Sequence, residues 1–360
     1  MEKRKIICII GPTASGKTGW GVEIARKFGG LPALPSASPK LLHRCRRAKL
    51  MQAGEIVSAD SRQVYRGLDI GTGKEGSSKS KIQMSNKAQN PNVKKLTGNI
   101  RWIDNVPQWL IDIVEPETKF TMFDWLGRAR KVIEDIFARG KIPVVVGGTG
   151  LYVQSLVEGF ELTQKSKLKS QNCNSKIKTF SRKELEKKSL KQLQRICLRL
   201  KTYDLRLDLS NPHRLIRAIE RAQDGEVIAK KKPNFEVLQI AIDLPREILY
   251  QRIDQRVEEW FKERFVEEVQ GLLDRGVDSK WLEKIGLEYR ILGNFVIENS
   301  LKIKNCKIEN LPEFQEMKQR LKFAIHAYAR RQLTWFRRFP EVKWCKDLKS
   351  AGKEIRKFLL

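Results

Sequence analysis

The segment from Gly11 to Thr18 reads GPTASGKT and matches the GxxxxGK[ST] pattern of a phosphate-binding loop. It follows a short apolar run, Lys5 to Ile10, that is typical of a buried strand, and it precedes Gly19 to Phe28, which has the pattern of a helix. In this arrangement, backbone N–H groups surround phosphate oxygens at the positive end of the helix. The sequence therefore predicts an α/β fold with a P-loop NTPase-like parallel sheet and flanking helices.

The residues of this loop have distinct expected roles. We expect Lys17 to reach the outer phosphates of a bound diphosphate or polyphosphate, and the Thr18 hydroxyl to ligate Mg²⁺, which makes Mg²⁺ the expected cofactor. The rest of the loop is expected to surround the same phosphates: Gly11, Pro12, Thr13, Ala14, Ser15 and Gly16. The motif does not identify the reaction, because ATPases, GTPases and kinases combine it with an acidic residue after a second strand.

Two acidic residues could play that second part. Asp112 lies inside the apolar run LIDIV, Leu110 to Val114, which reads as a strand, and there it is explained at least as well as a structural polar residue. Asp60 ends a short predicted strand, EIVSAD, Glu55 to Asp60. Because ligand groups in α/β sheets lie beyond the carboxyl ends of the strands, Asp60 is the better candidate for chemistry.

The net charge is +29, from 71 Lys and Arg against 42 Asp and Glu, which favours a polyanionic partner such as nucleic acid. A generally lysine-rich proteome would give the same excess. The charge is uneven: the segment from Met317 to Arg338 has seven basic residues and no acidic one. That segment has helical periodicity, with Leu321 and Ile325 on an apolar face. Arg330 and Arg331 are the residues there that we expect to contact phosphate.

Other classes of protein are disfavoured. The six Cys form no CxxC pair, the three His are far apart in sequence, and no apolar run approaches the roughly 20 residues of a membrane span. The first residues do not have the pattern of a signal peptide. We therefore expect a cytoplasmic protein with reduced thiols and no membrane association, and nothing in the sequence requires more than a monomer.

Several blocks together resemble the tRNA dimethylallyltransferases, also called tRNA isopentenyltransferases. They occur in the order found in that family and cover nearly the whole chain. The blocks are GPTASGKT (Gly11–Thr18), IVSADSRQVYRGLDIGTGK (Ile56–Lys74), LIDIVEP (Leu110–Pro116), IPVVVGGTGLYVQSL (Ile142–Leu156), NPHRLIRAIE (Asn211–Glu220), RIDQRVEEW (Arg252–Trp260) and ARRQLTWFRRF (Ala329–Phe339).

The resemblance implies transfer of a dimethylallyl group from dimethylallyl diphosphate to N6 of the adenosine 3′ of the anticodon. It also implies two catalytic residues, Asp60 as general base and Thr149 beside the substrate nucleotide. Arg252 and Arg256 lie four residues apart on a predicted helix, so both can reach one anion, and at least one is expected to contact the diphosphate.

The target adenine must leave its stack to be reached, so the resemblance implies a tRNA site for a flipped base in the anticodon loop. The residues that match the family's tRNA-binding segments are Asp60, Ser61, Arg62, Gln63, Thr149, His213, Arg214, Leu215, Ile216 and Arg217. The expected partners are therefore the anticodon stem–loop of tRNA and dimethylallyl diphosphate.

The expected domain organisation follows from the same pattern. Residues 1–159 and 235–345 should form the catalytic core, the later part mostly helical, and Phe235 to Ile242 reads as a strand that returns to the sheet. Residues 160–234 should form a basic helical insertion domain that contacts tRNA. Segments 31–53 and 75–99 read as extra loops, and 346–360 as a C-terminal tail.

Two other functions remain open from the residues alone. A P-loop kinase for a small molecule or nucleotide would share GPTASGKT and the acidic residue at the strand end, but would leave the basic segments unexplained. A non-catalytic RNA-binding protein would explain the charge, although retention of Lys17, Thr18, Asp60 and Thr149 argues against it.

Overall fold

The computed structural model describes residues 4–28, 54–75, 100–164, 179–200, 208–300, 302, 308 and 311–360. The expected extra loops, 31–53 and all but the first residue of 75–99, lie outside these ranges. The described chain forms two compact units, Met1–Val157 with Pro233–Leu360, and Glu158–Lys232. The bounds of the second unit are two residues earlier than those expected for the insertion.

The first unit contains a seven-stranded sheet in the order β3-β4-β2-β5-β1-β8-β9. All neighbouring strands are parallel except β3 and β4. The strands are β1 (Arg4–Ile10), β2 (Glu55–Ser58), β3 (Arg101–Ile103), β4 (Val106–Trp109), β5 (Pro143–Gly147), β8 (Phe235–Ile242) and β9 (Lys343–Cys345). The predicted fold class is confirmed, and the predicted returning strand is β8, which pairs with β1.

The central strands are apolar, and helices cover both faces of the sheet that they form. Ile6 to Ile10 of β1 are fully buried, as expected for a parallel strand covered on both faces. The helices of this unit are α1 (Lys17–Phe28), α2 (Met122–Ala138), α3 (Gly150–Val157), α7 (Arg246–Lys262), α8 (Phe265–Asp274), α9 (Ser279–Ile285), α10 (Leu287–Glu298), α11 (Pro312–Phe336) and α12 (Leu348–Leu359). Among the described residues, none of the helices has the length and apolarity needed to cross a bilayer.

Strand order determines where the functional loops meet. Strands β2, β5 and β1 are adjacent, and their carboxyl ends are level: Ser58 is opposite Val146, and Gly147 is opposite Ile10. The loops that follow these three strands therefore lie side by side at one edge of the sheet.

The second unit has its own small core. Helices α4 (Arg182–Glu186), α5 (Leu190–Arg199) and α6 (Pro212–Gln223) pack around apolar residues that include Leu193, Leu215 and Ile219. It also contains an antiparallel pair, β6 (Phe160–Gln164) and β7 (Glu226–Lys230). The unit is therefore helical, as expected of the insertion, with one strand pair that was not expected: short alternating runs such as EVIAK pair as strands although their surroundings are polar.

Two other expectations need correction. The apolar run LIDIV is not a strand: β4 ends at Trp109, and Leu110 and Asp112 have φ values of 65° and 56°, which are left-handed. Segment 346–360 is not a tail, because α12 buries Ala351 and Ile355 in the core of the sheet. The segment is short and rich in charged residues, so its sequence does not make obvious the apolar face that packs against the sheet.

Candidate active site

A cavity of about 570 Å³ lies at the carboxyl ends of the central strands. The phosphate-binding loop forms one wall, and Asp60 with its neighbours forms another. Helix α7 adds Arg252 and Arg256, and α11 adds Gln332. The cavity thus combines cationic groups suited to a diphosphate with a carboxylate that can accept a proton.

The phosphate-binding loop has the backbone geometry that its sequence predicts. Gly16 has a φ of 86°, in the left-handed region that favours glycine, and helix α1 begins at Lys17. Lys17 Nζ donates a hydrogen bond of 2.6 Å to the carbonyl of Pro12. Burial lowers the pKa of Lys17 to about 8, although the nearby Asp60 carboxylate raises it in part. The ammonium group is therefore poorly solvated and suited to pairing with an anion.

The residues near Thr18 fit a metal ion held jointly with substrate. Thr18 lines the cavity, as does Asp60. Within the described ranges, no cluster of three or more His, Cys, Asp or Glu side chains could hold a metal ion unaided. Mg²⁺ commonly binds through one or two protein groups with substrate phosphates and water, so the Thr18 hydroxyl is compatible with that mode of binding.

Asp60 lies immediately beyond β2, and its turn holds its carboxylate in place. Asp60 Oδ1 accepts hydrogen bonds from the backbone N–H groups of Arg62, at 2.9 Å, and Gln63, at 3.4 Å. Thr149 Oγ1 accepts a hydrogen bond from Ser61 N–H at 3.0 Å and donates one to Ser61 Oγ at 3.3 Å. The fold thus joins Thr149 to the turn of Asp60 through Ser61, 88 residues away in sequence, although Thr149 itself is not among the residues that line the cavity.

Arg62 is held by a buried ion pair. Its guanidinium contacts the carboxylate of Glu288, which is 1% exposed, and lies 5.3 Å from the ring centre of Tyr328. Burial alone would lower the pKa of Arg62, but Glu288, with Tyr328 and Asp60, outweighs it and the pKa is raised. Arg62 is therefore permanently charged, and much of its charge is neutralised within the protein.

The two arginines of α7 both reach the phosphate-binding loop. Arg252 Nη1 lies 3.5 Å from the carbonyl of Ser15, and Arg256 Nη1 donates to Thr13 Oγ1 at 3.3 Å. Arg256 also lies over the Trp260 ring at 5.1 Å, and burial lowers its pKa. The spacing of four residues does place both side chains beside the same loop.

Asp112, the other acidic candidate, is structural. Its carboxylate accepts from Lys74 at 2.5 Å and from Arg101 at 2.6 Å. Lys74 and Arg101 also pair with Asp69. This network fastens the segment after Asp60 to the edge of the sheet and leaves Asp112 engaged by two cations.

Sequence reasoning missed Glu268 on α8, which holds one wall of the cavity. Its Oε2 accepts from the backbone N–H groups of Asp69 and Ile70 at 2.8 and 2.7 Å, and its Oε1 accepts from the Tyr289 hydroxyl at 2.7 Å. Burial raises the pKa of Glu268. In the sequence of an amphipathic helix, a glutamate is usually read as a solvent-exposed residue. The partners of Glu268 are therefore visible only in the folded structure.

The residues expected to bind tRNA divide into two groups. In the second unit, His213, Arg214 and Arg217 are exposed on α6, whereas Leu215 and Ile216 are 0% and 2% exposed. Leu215 and Ile216 were therefore wrongly assigned a binding role, because helical periodicity turns them into the core of their own unit. In the first unit, the side chains of the expected pair on α11, Arg330 and Arg331, are exposed.

The chain matches the model of the IPP transferase family over residues 94–339. It is 36% identical to a protein of Shewanella sediminis named tRNA dimethylallyltransferase 2, over 95% of this chain and 91% of that one. It is 31% identical to the tRNA dimethylallyltransferase of Thermomicrobium roseum, over 96% of this chain and 87% of that one.

Solved structures agree with this assignment. The full-length tRNA isopentenylpyrophosphate transferase from Bacillus halodurans has a TM-score of 0.56 and 29% identity, covering 99% of this chain and 96% of that chain. The tRNA delta(2)-isopentenylpyrophosphate transferase from Staphylococcus epidermidis has the same TM-score and identity, covering 99% of both chains. Since the family match spans most of the residues and the relatives align almost from end to end, the chain belongs to the IPP transferase family.

Proposed function

We propose that the protein transfers a dimethylallyl group from dimethylallyl diphosphate to tRNA, at N6 of the adenosine on the 3′ side of the anticodon. One observation carries the proposal: the Asp60 carboxylate faces the same cavity as the phosphate-binding loop and the two arginines of α7. One site can therefore bind the diphosphate leaving group at one wall and accept the proton of the nucleophile at another.

The reaction requires one bond to form and one to break at the same carbon. The lone pair of adenine N6 attacks the allylic carbon, the bond from that carbon to the diphosphate oxygen breaks, and pyrophosphate leaves with the bonding pair. Asp60 accepts the proton that N6 loses. General base catalysis of this kind typically raises the rate by about 10²–10⁴-fold. One oxygen of Asp60 is fixed by backbone N–H groups, which orients the carboxylate for this transfer.

Positive charge at the other wall stabilises the leaving group. Lys17, Arg252 and Arg256 surround the position of the developing pyrophosphate, inside a cavity where electrostatic interactions are stronger than in water. When bound through Thr18 and the diphosphate, Mg²⁺ would supply further neutralisation of the departing oxygens. The chain's own residues bind the diphosphate and orient the reacting groups.

Binding of tRNA completes the proposal. We assign the flipped adenosine to the segment Asp60 to Gln63 and Thr149, and phosphate contacts to Arg330 and Arg331. In the second unit, His213, Arg214 and Arg217 are suited to phosphates or unpaired bases of the anticodon stem–loop. We further propose that the protein acts as a monomer in the cytoplasm.

Mass spectrometry of nucleosides tests the proposal. Unmodified tRNA is incubated with the protein, Mg²⁺ and dimethylallyl diphosphate in the absence of ATP, and then digested. We expect N6-dimethylallyladenosine to appear in the digest, and we expect an Asp60→Ala variant to form almost none. Binding of tRNA by wild type without product would instead indicate an RNA-binding protein, and consumption of added ATP without prenylated product would favour the kinase.

A further inference from the structure

We propose that Gln332 on α11 is a positioning residue that fixes the diphosphate half of the site relative to the adenosine half. This inference rests on the proposed function, since it assigns a part in that reaction to a residue that touches neither reacting atom. Gln332 lines the cavity but is only 8% exposed, so its polar atoms are committed to the protein.

The two ends of the Gln332 amide bind different loops. Its Oε1 accepts a hydrogen bond of 2.8 Å from the backbone N–H of Thr13, in the phosphate-binding loop. Its Nε2 donates a hydrogen bond of 2.9 Å to the carbonyl of Gly148, in the loop after β5. A single side chain therefore bridges the loops that follow two neighbouring strands, β1 and β5.

The bridge continues to the proposed general base. Thr149, directly after Gly148, accepts from Ser61 N–H at 3.0 Å, and Ser61 directly follows Asp60. Hydrogen bonds and short lengths of chain thus connect Thr13, at the diphosphate, to Asp60, at the adenosine. The distance between these two walls determines whether N6 can reach the allylic carbon in line with the departing oxygen.

Close packing leaves little freedom at this contact. A Cβ atom added to Gly148 would lie 2.6 Å from Gln332 Nε2, nearer than real Cβ contacts. One turn further along α11, the Trp335 ring packs closely against the same loop: a Cβ atom added to Gly150 would lie 2.2 Å from it. The loop after β5 is therefore shaped to receive α11, and Gln332 is the polar group at that contact.

The chemistry of the position requires an amide. Thr13 offers a donor and Gly148 an acceptor, so the side chain between them must accept at one end and donate at the other. A carboxylate of the same shape can serve only Thr13 N–H, and would place a negative oxygen against the Gly148 carbonyl. A protonated carboxyl group, however, can both accept and donate, as the amide does.

Two substitutions and one matched control test the proposal. Gln332→Met keeps the length and removes both hydrogen bonds, and Gln332→Glu keeps the acceptor only. Gln319→Glu makes the same change at an exposed position of the same helix. The kcat for tRNA prenylation, the KM for dimethylallyl diphosphate and the Kd for inorganic pyrophosphate are measured for each protein across pH 5.5 to 8.5.

We expect Gln332→Met to lower kcat about 10- to 100-fold, as small misplacements of reacting groups do, with the pyrophosphate Kd changed less than about threefold. The kcat of Gln332→Glu relative to wild type should rise as pH falls, because protonation restores the missing donor. Gln319→Glu should match wild type throughout.

A kcat of Gln332→Met within about threefold of wild type would overturn the proposal. So would a Gln332→Glu deficit that does not depend on pH, or a loss of pyrophosphate binding equal to the loss of kcat, since each indicates a general structural role. If Gln332→Met does not fold, the pH dependence of Gln332→Glu decides alone. Absence of product with wild type would refute the proposed function instead, and is seen before any variant is compared.

Discussion

The buried ion pair between Arg62 and Glu288 makes a sharp prediction about stability. Substituting Glu288 by Gln preserves the shape of the side chain and removes its charge, while Arg62 stays charged. The Glu288 and Arg62 side chains are 1% and 12% exposed, so water can reach the pair only from the cavity that Arg62 lines. The substitution therefore removes the main counter-charge of a mostly buried guanidinium and leaves it the weaker attraction of Asp60.

The magnitude follows from the surroundings of Arg62. Removing one partner of a buried pair typically costs about 3–5 kcal/mol of unfolding free energy. Arg62 retains the face of Tyr328 at 5.3 Å, a contact worth about 1 kcal/mol when partly desolvated. The glutamine oxygen can still accept a hydrogen bond. We therefore expect Glu288→Gln to lower the free energy of unfolding by about 2–4 kcal/mol.

A second Arg–Glu pair supplies the control. Glu267 pairs with Arg264 at 3.0 Å, but the two side chains are 55% and 76% exposed. Glu267→Gln should cost at most about 1 kcal/mol, even with the loss of an acidic residue from the first turn of α8. Both variants are unfolded in urea and followed by circular dichroism. If their losses agree within about 0.5 kcal/mol, the burial argument for Arg62 and Glu288 is refuted.

Three further predictions concern charge at the proposed site. Diphosphate binding needs a protonated Lys17, whose pKa is lowered to about 8. The affinity for pyrophosphate, measured by calorimetry, should therefore fall roughly tenfold between pH 7 and pH 9. If a Lys17→Arg variant shows the same fall, Lys17 is not its cause. Asp60→Asn should lower kcat by about 10²–10⁴-fold with little change in stability. Asp112→Asn should instead cost about 2–4 kcal/mol of stability and leave the kcat of the folded protein within about threefold of wild type. The opposite result would reverse the roles assigned to the two carboxylates. Replacing Arg214 and Arg217 together by Ala should reduce the slope of log K against log salt for tRNA binding by about 1–2, and an unchanged slope would show that neither contacts phosphate.

Local sequence patterns were sufficient to predict the phosphate-binding side of the fold. The loop from Gly11 to Thr18, the position of Asp60 after a short strand, and the parallel sheet follow from short-range motifs and the rules of α/β sheets. The four-residue spacing of Arg252 and Arg256 likewise predicted one shared helix face, and both side chains contact the phosphate-binding loop from it. Each inference depended on residues close together in sequence or on one regular element.

Long-range contacts explain what the sequence concealed. Glu268 and Gln332 lie 198 and 319 positions from partners that they hold, Ile70 and Thr13, so no local pattern marks them. The run LIDIV looked like a strand because it is apolar, yet Asp112 has a left-handed backbone and its carboxylate is bound by two cations from elsewhere in the chain. Tertiary packing overrides local preference at such positions.

The central claim is that the phosphate-binding loop holds a leaving diphosphate and not a nucleoside triphosphate. The most direct measurement is the ratio of pyrophosphate released to N6-dimethylallyladenosine formed, with purified tRNA and dimethylallyl diphosphate, with and without ATP. The account predicts one pyrophosphate per modified adenosine and no dependence on ATP. Pyrophosphate release without modified adenosine, or product formation that consumes ATP, would contradict it.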